Sequence, residues 1–363
     1  MLLCYWCFGY GAWLCLALML AAGIIAHHQK LSALLAVGIL LLPATQYPAT
    51  TWWSKPDLDR EYVLSLDVEH YFGNIQKMRK HLETDRQILW VTYYRNLYNA
   101  THPSEINSPV SLSRNLLAWN QPGTNGLILP VNPSASFLSI LFANELWFTL
   151  GDMTMAEHCA MLSMIFSPRN SGSRMIKRLA EINLVNGDDE AALKYLRILD
   201  KTLLHKSWAE KRIPGQQTPQ VKEWLEKKRR DIPTQDQLRS GNDAVTSLRN
   251  LVASNAGNLR AYEYLLCYHL LSKDLRSFVE DYVPGKVSSP IFAEALLIHL
   301  ARQGNIRAEE LIKYQIPVEI AKEFADYTRL YEAKDTSLKE KYGKTYWFYY
   351  HFATTEPGKE SKP

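Results

Sequence analysis

Formal charge is distributed very unevenly along this chain of 363 residues, and that distribution constrains the fold more than any other feature. Of the 41 basic and 37 acidic residues, all except Lys30 lie after residue 54. A segment with a single charge can enter a lipid bilayer, whereas a segment rich in charged side chains stays in water. The sequence therefore predicts a membrane element, residues 1–54, followed by a large water-exposed body.

Two apolar runs within residues 1–54 predict two transmembrane helices. Residues 2–26 and 31–53 contain no charged side chain, and a polar turn at 27–30 separates them. A helix needs about 20 residues to cross the hydrocarbon core, because each residue rises about 1.5 Å. We expect a helical hairpin that anchors the chain in the lipid bilayer, with Trp52 and Trp53 at the level of the headgroups.

Two alternatives to this hairpin remain open. A cleaved signal peptide followed by a buried helix fits poorly, because no basic residue precedes the first run and that run is too long. A start codon inside a longer gene would also explain why the chain begins directly in apolar sequence. For orientation, Lys30 favours a cytoplasmic turn and a body outside the cytoplasm, whereas Lys55 and Arg60 favour the reverse.

A short motif recurs in the body, in which glycine is followed by asparagine or aspartate. Glycine adopts the left-handed conformation that ends a helix, and the next side chain caps the start of the following helix. Each motif therefore predicts a tight turn between two helices. The positions are Gly73-Asn74, Gly151-Asp152, Gly187-Asp188 and Gly304-Asn305, with a degenerate copy at Lys273-Asp274.

Helical periodicity flanks these turns. Around Gly187 one apolar stripe precedes the turn and a second follows it, made of Ala192, Tyr195, Leu196, Leu199 and Leu203. Some of the motifs recur at intervals close to the 34-residue period of tetratricopeptide hairpins. Sustained alternation typical of strands is missing. The sequence predicts an all-α fold, with the transmembrane hairpin followed by a tetratricopeptide-like α-solenoid over residues 57–352.

Composition divides this body further. Residues 210–240 are rich in proline, glutamine and charge, which predicts a linker or irregular region between a helical-repeat lobe at 57–209 and a second at 241–352. Residues 353–363 are expected to be a disordered tail. The basic run at 222–230 is typical of a solvated helix face, with contact to anionic lipid headgroups as the alternative. The aromatic run at 342–352 is expected to close the end of the core, or alternatively to face a membrane or a partner.

One uncharged loop, residues 120–133, is the candidate contact surface, because long structured loops are often functional. The alternative is an insert that folds back and buries its apolar residues on the helices. The residues proposed for contact are Trp119, Asn120, Asn125, Leu127 and Ile128.

No catalytic, cofactor-binding or metal-binding residue is predicted. Asp67, Glu69 and His70 are close in sequence, as are Glu157, His158 and Cys159, and only Asp67 with His70 would share a helix face, at i, i+3. Neighbouring helical residues point about 100° apart, so surface charges at helix ends are the simpler interpretation. Phosphate, dinucleotide, zinc and serine-hydrolase motifs are missing. The net charge of +4 gives no case for nucleic acid as a partner.

The run from Gly172 to Asp188, continued through residues 191–196 and 207–209, resembles the core of the DUF6057 group of Bacteroidetes membrane proteins. Residues 258–266 are similar to a later segment of that group. The resemblance implies a multi-pass N-terminus followed by a helical-repeat tail, of which this chain would be a shortened member. The predicted location is the bacterial inner membrane, with the body in the periplasm. It brings no activity or catalytic residue.

Together these features predict a membrane-anchored helical-repeat protein that acts as an interaction scaffold, with no evident catalytic chemistry. Its partners would be the lipid bilayer, through residues 1–54, and a protein or peptide bound on the solenoid. The alternative is a C-terminal accessory domain of a larger multi-pass membrane enzyme or transporter, whose N-terminal helices are missing from this chain.

Overall fold

The computed structural model describes residues 55–82, 137–166, 172–235 and 244–352, together with the buried helical residues Val91, Tyr94 and Tyr98. Every regular element in these ranges is a helix, which confirms the all-α fold class for this part of the chain. The predicted membrane segment 1–54, the loop 120–133 and the tail 353–363 lie outside the described residues. Within the described ranges, no helix combines the length and the apolar character needed to cross a membrane.

The chain divides into two compact units after Met78. The first contains α1, Lys55–Tyr71, and the first part of α2, Ile75–Leu82. Gly73, with a φ of 70°, lies between these two helices and has the left-handed backbone that ends the first of them. Leu66, in the second half of α1, is fully buried.

The second unit contains the remaining helices that the structure describes. In chain order they are α3 Phe137–Leu150, α4 Met153–Phe166, α5 Ser173–Asn186, α6 Asp189–Asp200, α7 Lys206–Glu210, α8 Pro219–Arg229, α9 Ala244–Ser254, α10 Leu259–Leu271, α11 Leu275–Asp281, α12 Pro290–Arg302, α13 Ala308–Lys313, α14 Val318–Glu332, α15 Leu338–Tyr342 and α16 Tyr346–Phe352. Helices that follow each other directly contact one another in most cases, as α3 does with α4, α5 with α6 and α9 with α10. Contacts of α4 with α5, and of α11 with α12, join successive pairs.

An apolar core extends through the second unit from α3 to α16 and includes Trp147, Leu265, Phe292 and Trp347. Each large apolar side chain that is fully buried stabilises the fold by about 1.5–3 kcal/mol. A smaller apolar cluster lies beneath α6 and α7 and is formed by Ala180, Leu196, Leu199 and Ala209. The predicted apolar faces of α5 and α6 therefore lie where the periodicity placed them, with one exception at the end of α6.

Left-handed backbone occurs at every predicted helix stop. The residues, with φ between 57° and 94°, are Gly73, Gly151, Gly187, Lys273 and Gly304. In three of these turns the next side chain caps the following helix, accepting a backbone hydrogen bond of 2.9–3.0 Å from three residues later. The capping residues are Asp152, Asp188 and Asp274. These bonds confirm the motif as a combined helix stop and start.

The motif at Gly304 behaves differently. Gly304 has the left-handed backbone that was expected, but α13 begins only at Ala308. Arg307, whose backbone is extended, occupies the N-cap position that the sequence assigned to Asn305. The extended backbone delays the helix by two residues, so the expected cap at Asn305 is wrong.

The prediction that Leu203 continues the apolar stripe of α6 is also wrong. The helix ends at Asp200, and the Thr202 hydroxyl donates to the Leu199 carbonyl at 2.7 Å and accepts the His205 amide at 3.2 Å. This turn breaks the helical period. Leu203 is consequently 96% exposed instead of buried.

The described part of the predicted linker 210–240 contains the regular helix α8, which contacts α5. Its last residues are not a solvated basic face throughout. The Arg229 side chain donates to the carbonyls of Val185 at 3.0 Å and Leu184 at 2.7 Å, at the end of α5. Cations stabilise helix C-termini because unpaired carbonyls give that end a negative potential.

A second set of donors meets the end of α3. The Asn258 amide donates to the carbonyls of Leu150 and Asp231, each at 2.7 Å, and Arg260 donates to the Thr149 carbonyl at 3.0 Å. Gly151 allows this approach, because a Cβ there would lie 2.3 Å from the Asp231 carbonyl oxygen. We call this set, together with Lys228 and Arg229 and the carbonyls they meet, the helix-end junction.

Lys228 is the most enclosed cation of the helix-end junction. Its ammonium lies 4.5 Å from the centroid of the Phe148 ring and within 3.4 Å of the Phe148 carbonyl. Burial, followed by the positive charges of Arg260 and Arg178, lowers the pKa of Lys228 to about 8. Part of the predicted basic run therefore bonds to helix ends, with the half-buried Lys228 at the end of α3 and the exposed Arg229 at the end of α5.

The aromatic run at 342–352 closes the end of the core, as expected. In α16 the side chains of Tyr346, Trp347 and Tyr349 are buried, and the helix contacts α12. The Glu294 carboxylate on α12 accepts the backbone N–H of Tyr346 at 2.6 Å, and the Glu294 carbonyl accepts the Trp347 indole at 2.9 Å. A buried carboxylate thus caps the start of the last described helix.

Candidate functional site

The contact surface proposed from the sequence lies outside the described residues. Trp119, Asn120, Asn125, Leu127 and Ile128 all belong to the segment between 98 and 137, and their role stays a prediction.

The two titratable clusters seen in the sequence lie on helices. Asp67 and His70 are in α1, and Glu157, His158 and Cys159 are in α4, where Cys159 is buried. In the part of the chain that the structure describes, no three histidine, cysteine or carboxylate side chains converge on a point that could hold a metal ion.

A groove in the C-terminal half is shaped to receive part of a partner. It runs between the segment that follows α11 and the turn that connects α13 to α14, and we call it the two-tyrosine groove. Its volume is about 120 Å³. The residues that define its two sides and its base are Tyr282, Gly285, Pro290, Ala293, Tyr314, Gln315 and Ile320.

Two turns with left-handed backbone form the walls. Gly285 has a φ of 79° and Gln315 a φ of 54°. The two residues face each other, because a Cβ on Gly285 would lie 3.3 Å from the side-chain amide of Gln315. Left-handed backbone at a residue other than glycine costs about 1–2 kcal/mol, and such positions are concentrated at functional sites.

Proline residues fix the backbone at the starts of two helices that border the groove. Pro290 begins α12, and Pro317 is the N-cap of α14. Proline suits these positions because its fixed φ is compatible with a helix start and its missing N–H would be unpaired there. The groove is therefore bounded by backbone that has little freedom to rearrange.

Hydrogen bonds hold the first wall in place. The Tyr262 hydroxyl donates to the Asp281 carbonyl at 3.0 Å and accepts the Val283 amide at 2.7 Å. Burial raises the pKa of Tyr262, so this hydroxyl keeps its proton well above neutral pH. The Asp281 carboxylate in turn contacts His269 on α10 at 2.8 Å and Arg249 on α9 at 2.9 Å.

Two exposed apolar side chains directly adjoin residues of the groove in the sequence. Val283 is 51% exposed and Val318 58% exposed, each next to a residue that lines the groove. Lys286 places its ammonium 4.1 Å from the Tyr262 ring, and Lys313 lies 4.8 Å from the Tyr314 ring. The edges therefore combine apolar contact area with cations whose stems and charges are held against aromatic faces.

This geometry suits recognition of a side chain. Pockets that hold metabolites usually measure about 300–1,000 Å³, and the groove is well below that range. Tyrosine is among the residue types enriched in protein interfaces, where it supplies wide contact area with little loss of conformational freedom. The two-tyrosine groove is thus sized for one apolar side chain of a protein or peptide.

Sequence reasoning missed this groove. No sequence motif joins two turns that are about 30 residues apart. The one local signal is the Pro284-Gly285 pair, which is a strong turn former.

The helices, turns and groove define an all-helical protein built from successive helix pairs with a small side-chain-sized groove. The chain belongs to the DUF6057 family, a family of unknown function, whose model matches residues 31–353. No curated protein and no solved structure matches the chain.

Proposed function

We propose that this protein is a membrane-anchored helical-repeat protein that binds a protein or peptide partner as a scaffold. The observation that carries the proposal is the two-tyrosine groove, whose rigid walls, exposed valines and small volume suit an apolar side chain of a partner. The groove would bind the partner through its shape and through apolar contact, without a chemical reaction.

The repeat architecture is part of the proposal. Five helix stops with left-handed backbone, three of them followed directly by an aspartate cap, are the local structure that a stack of helical hairpins requires. In a tetratricopeptide-like solenoid each hairpin packs on the next, and the stacked hairpins form one continuous surface for a partner. The spacing of the motifs in the sequence supports this architecture.

Membrane anchoring rests on the sequence. Residues 2–26 and 31–53 are uncharged, and each is long enough for one spanning helix. We propose that residues 1–54 bind the lipid bilayer of the bacterial inner membrane, with the helical body in the periplasm. The alternative is an accessory domain of a larger multi-pass enzyme or transporter. In that case the groove would bind another part of the same enzyme or transporter.

Site-specific photo-crosslinking in cells tests the groove. A photoreactive amino acid is placed in the full chain at Val283 or at Val318, one on each edge. The matched control places it at Ile198, an apolar residue of α6 that is 48% exposed and does not line the groove. We expect the same protein adduct from both groove positions and not from the control.

A substitution at Tyr314 gives a second, independent test of the groove. Replacement Tyr314→Ala removes an aromatic wall and should abolish the adduct formed at Val283, while the helical content of the purified chain stays unchanged. Equal adducts from Ile198 and the groove positions, or adducts that persist in Tyr314→Ala, would overturn the assignment of the groove as the binding site.

A further inference from the structure

Two adjacent leucines project into solvent in the connection between α6 and α7. Leu203 is 96% exposed and Leu204 is 81% exposed, the highest values among the large apolar side chains that the structure describes as exposed. Isolated exposed leucines are ordinary, but two in succession place a contiguous apolar surface in water. This connection, residues 201–205, is referred to below as the leucine turn.

The turn is held rigidly while its leucines remain outside. Thr202 bonds to the end of α6 and to the His205 amide, and the His205 ring contacts the Ser173 hydroxyl at 3.1 Å. Burial, then the charge of Lys177, lowers the pKa of His205, so the ring is neutral at physiological pH. The exposure of the leucines is therefore a built feature of the turn and not the result of a loose loop.

Basic side chains surround the leucine turn. Residues 194–211 contain five basic and two acidic side chains. Lys201 and Lys211 are exposed, and Lys206 forms only a long contact of 4.0 Å with Glu210 in which both side chains remain more than half exposed. Trp208, on α7, is half-buried, with Arg212 placed 4.1 Å from the centroid of its ring.

We infer that the leucine turn docks on an anionic lipid surface, with Leu203 and Leu204 in the headgroup region and the lysines on the lipid phosphates. Membrane-surface segments combine leucine or tryptophan on the apolar side with lysine and arginine on the polar side. Protein interfaces differ in composition, because lysine is depleted in them and leucine is under-represented among their energetic centres. The charge and the residue types therefore favour lipid over a protein partner.

This inference rests on the proposed membrane anchoring, which brings the helical body close to a bilayer. It adds a second point of membrane contact, about 150 residues after the predicted spanning hairpin. Anchor and leucine turn together would restrict the orientation of the body, because two attachments allow far fewer arrangements than one.

The test uses the full chain in lipid vesicles, with an environment-sensitive fluorescent amino acid in place of Leu204. The matched control places the same amino acid at Ile312, which is 77% exposed and lies on α13, a short helix that carries two glutamates, Glu309 and Glu310, and one lysine, Lys313. Vesicles contain either zwitterionic lipid alone or a mixture with anionic lipid, and nitroxide-labelled lipid serves as the quencher.

We expect a blue shift and lipid quenching at position 204 in anionic vesicles, a weaker effect in zwitterionic vesicles, and none at position 312. High salt should reduce the effect, because it screens the lysine–phosphate attraction. The triple variant Lys201→Glu, Lys206→Glu, Lys211→Glu should lose the shift while the chain still floats with the vesicles.

A water-like, unquenched signal at position 204 in chain that floats with anionic vesicles would overturn the docking inference and leave the anchor intact. Chain that fails to float would overturn the anchor and the docking together. A blue shift that appears in detergent without lipid, and grows with protein concentration, would assign the leucine turn to a second copy of the chain and reject the lipid surface.

Discussion

The helix-end junction and the leucine turn both depart from the usual distribution of side chains, in which polar groups are exposed and apolar groups are buried. In the helix-end junction, the side chains of Lys228, Asn258 and Arg260 are partly or fully buried, and in the leucine turn, apolar side chains lie outside the protein. The interior polar groups are satisfied, because each donor meets a carbonyl at the end of α3 or α5. The exposed leucines have no such compensation within the described residues.

This difference separates a structural role from an interaction role. Buried polar groups are tolerated when they are fully hydrogen-bonded, and removing one partner leaves the other unpaired at a large cost. Replacing an exposed leucine by a smaller residue changes the free energy of unfolding little, because its side chain buries almost no apolar surface in the folded chain. Substitutions should therefore destabilise strongly in the helix-end junction and scarcely in the leucine turn.

Gly151→Ala should show the largest effect. The new Cβ would lie 2.3 Å from the Asp231 carbonyl oxygen, and the backbone has a φ of 94°. Clash and strain together should lower the free energy of unfolding by about 3–5 kcal/mol. Urea unfolding of the full chain in mild detergent, followed by tryptophan fluorescence, measures the change.

Gly187→Ala is the control for that substitution. Gly187 has a similar φ of 82°, but no atom lies within 4 Å of its Cβ position. Only the left-handed strain should remain, at about 1 kcal/mol. Equal losses for the two variants would show that the close approach to Asp231 is not the source of the effect.

Asn258→Ala should follow in size. The side chain donates to two carbonyls, and its oxygen accepts the Ala261 amide at 3.0 Å as the cap of α10. Loss of the cap and of the partner of a buried carbonyl should destabilise by about 2–4 kcal/mol. Thermal unfolding by circular dichroism measures it against Asn305→Ala, an asparagine that does not occupy an N-cap, which should change stability by less than about 0.5 kcal/mol.

The pH dependence of stability tests Lys228. Its pKa is about 8 in the folded chain against 10.5 in the unfolded chain, so the unfolded state holds more protons between these values. Stability contributed by this group therefore rises with pH, by about 2 kcal/mol from pH 7.5 to 9.5. Lys228→Met should lose that increase and Lys227→Met should retain it, as measured by urea unfolding across this range. Parallel pH profiles for the two variants would contradict the burial of Lys228.

Leu203→Ser with Leu204→Ser should have the smallest effect on stability. Both side chains are almost fully exposed, so the free energy of unfolding should change by less than about 0.5 kcal/mol. Leu199→Ala, one turn earlier and fully buried, should cost about 2–5 kcal/mol. A loss for the double variant close to that of Leu199→Ala would mean that the leucines are packed in the folded chain.

Local features of the fold could be predicted from the sequence with good accuracy. The all-α class, the helix stops at Gly151 and Gly187 and the caps at Asp152 and Asp188 depend on backbone preferences within a few residues. The end of α6 could not be placed, because the Thr202 turn competes with a helical pattern that Leu203 would have continued. The two-tyrosine groove could not be predicted at all, since Gly285 and Gln315 come together only when α11 to α14 are packed.

The sequence by itself therefore determined the all-α class, the helix stops at the glycine motifs, the caps at Asp152, Asp188 and Asp274, and the separation of an uncharged segment from a charged body. Only the tertiary structure decided which charges of the run 222–230 bond to helix ends, because Lys228 and Arg229 find their carbonyl partners on α3 and α5. It also decided which leucines are external and where a groove opens. The physical reason is range: capping and periodicity act within one or two turns of chain, whereas burial depends on what distant helices bring to the same place.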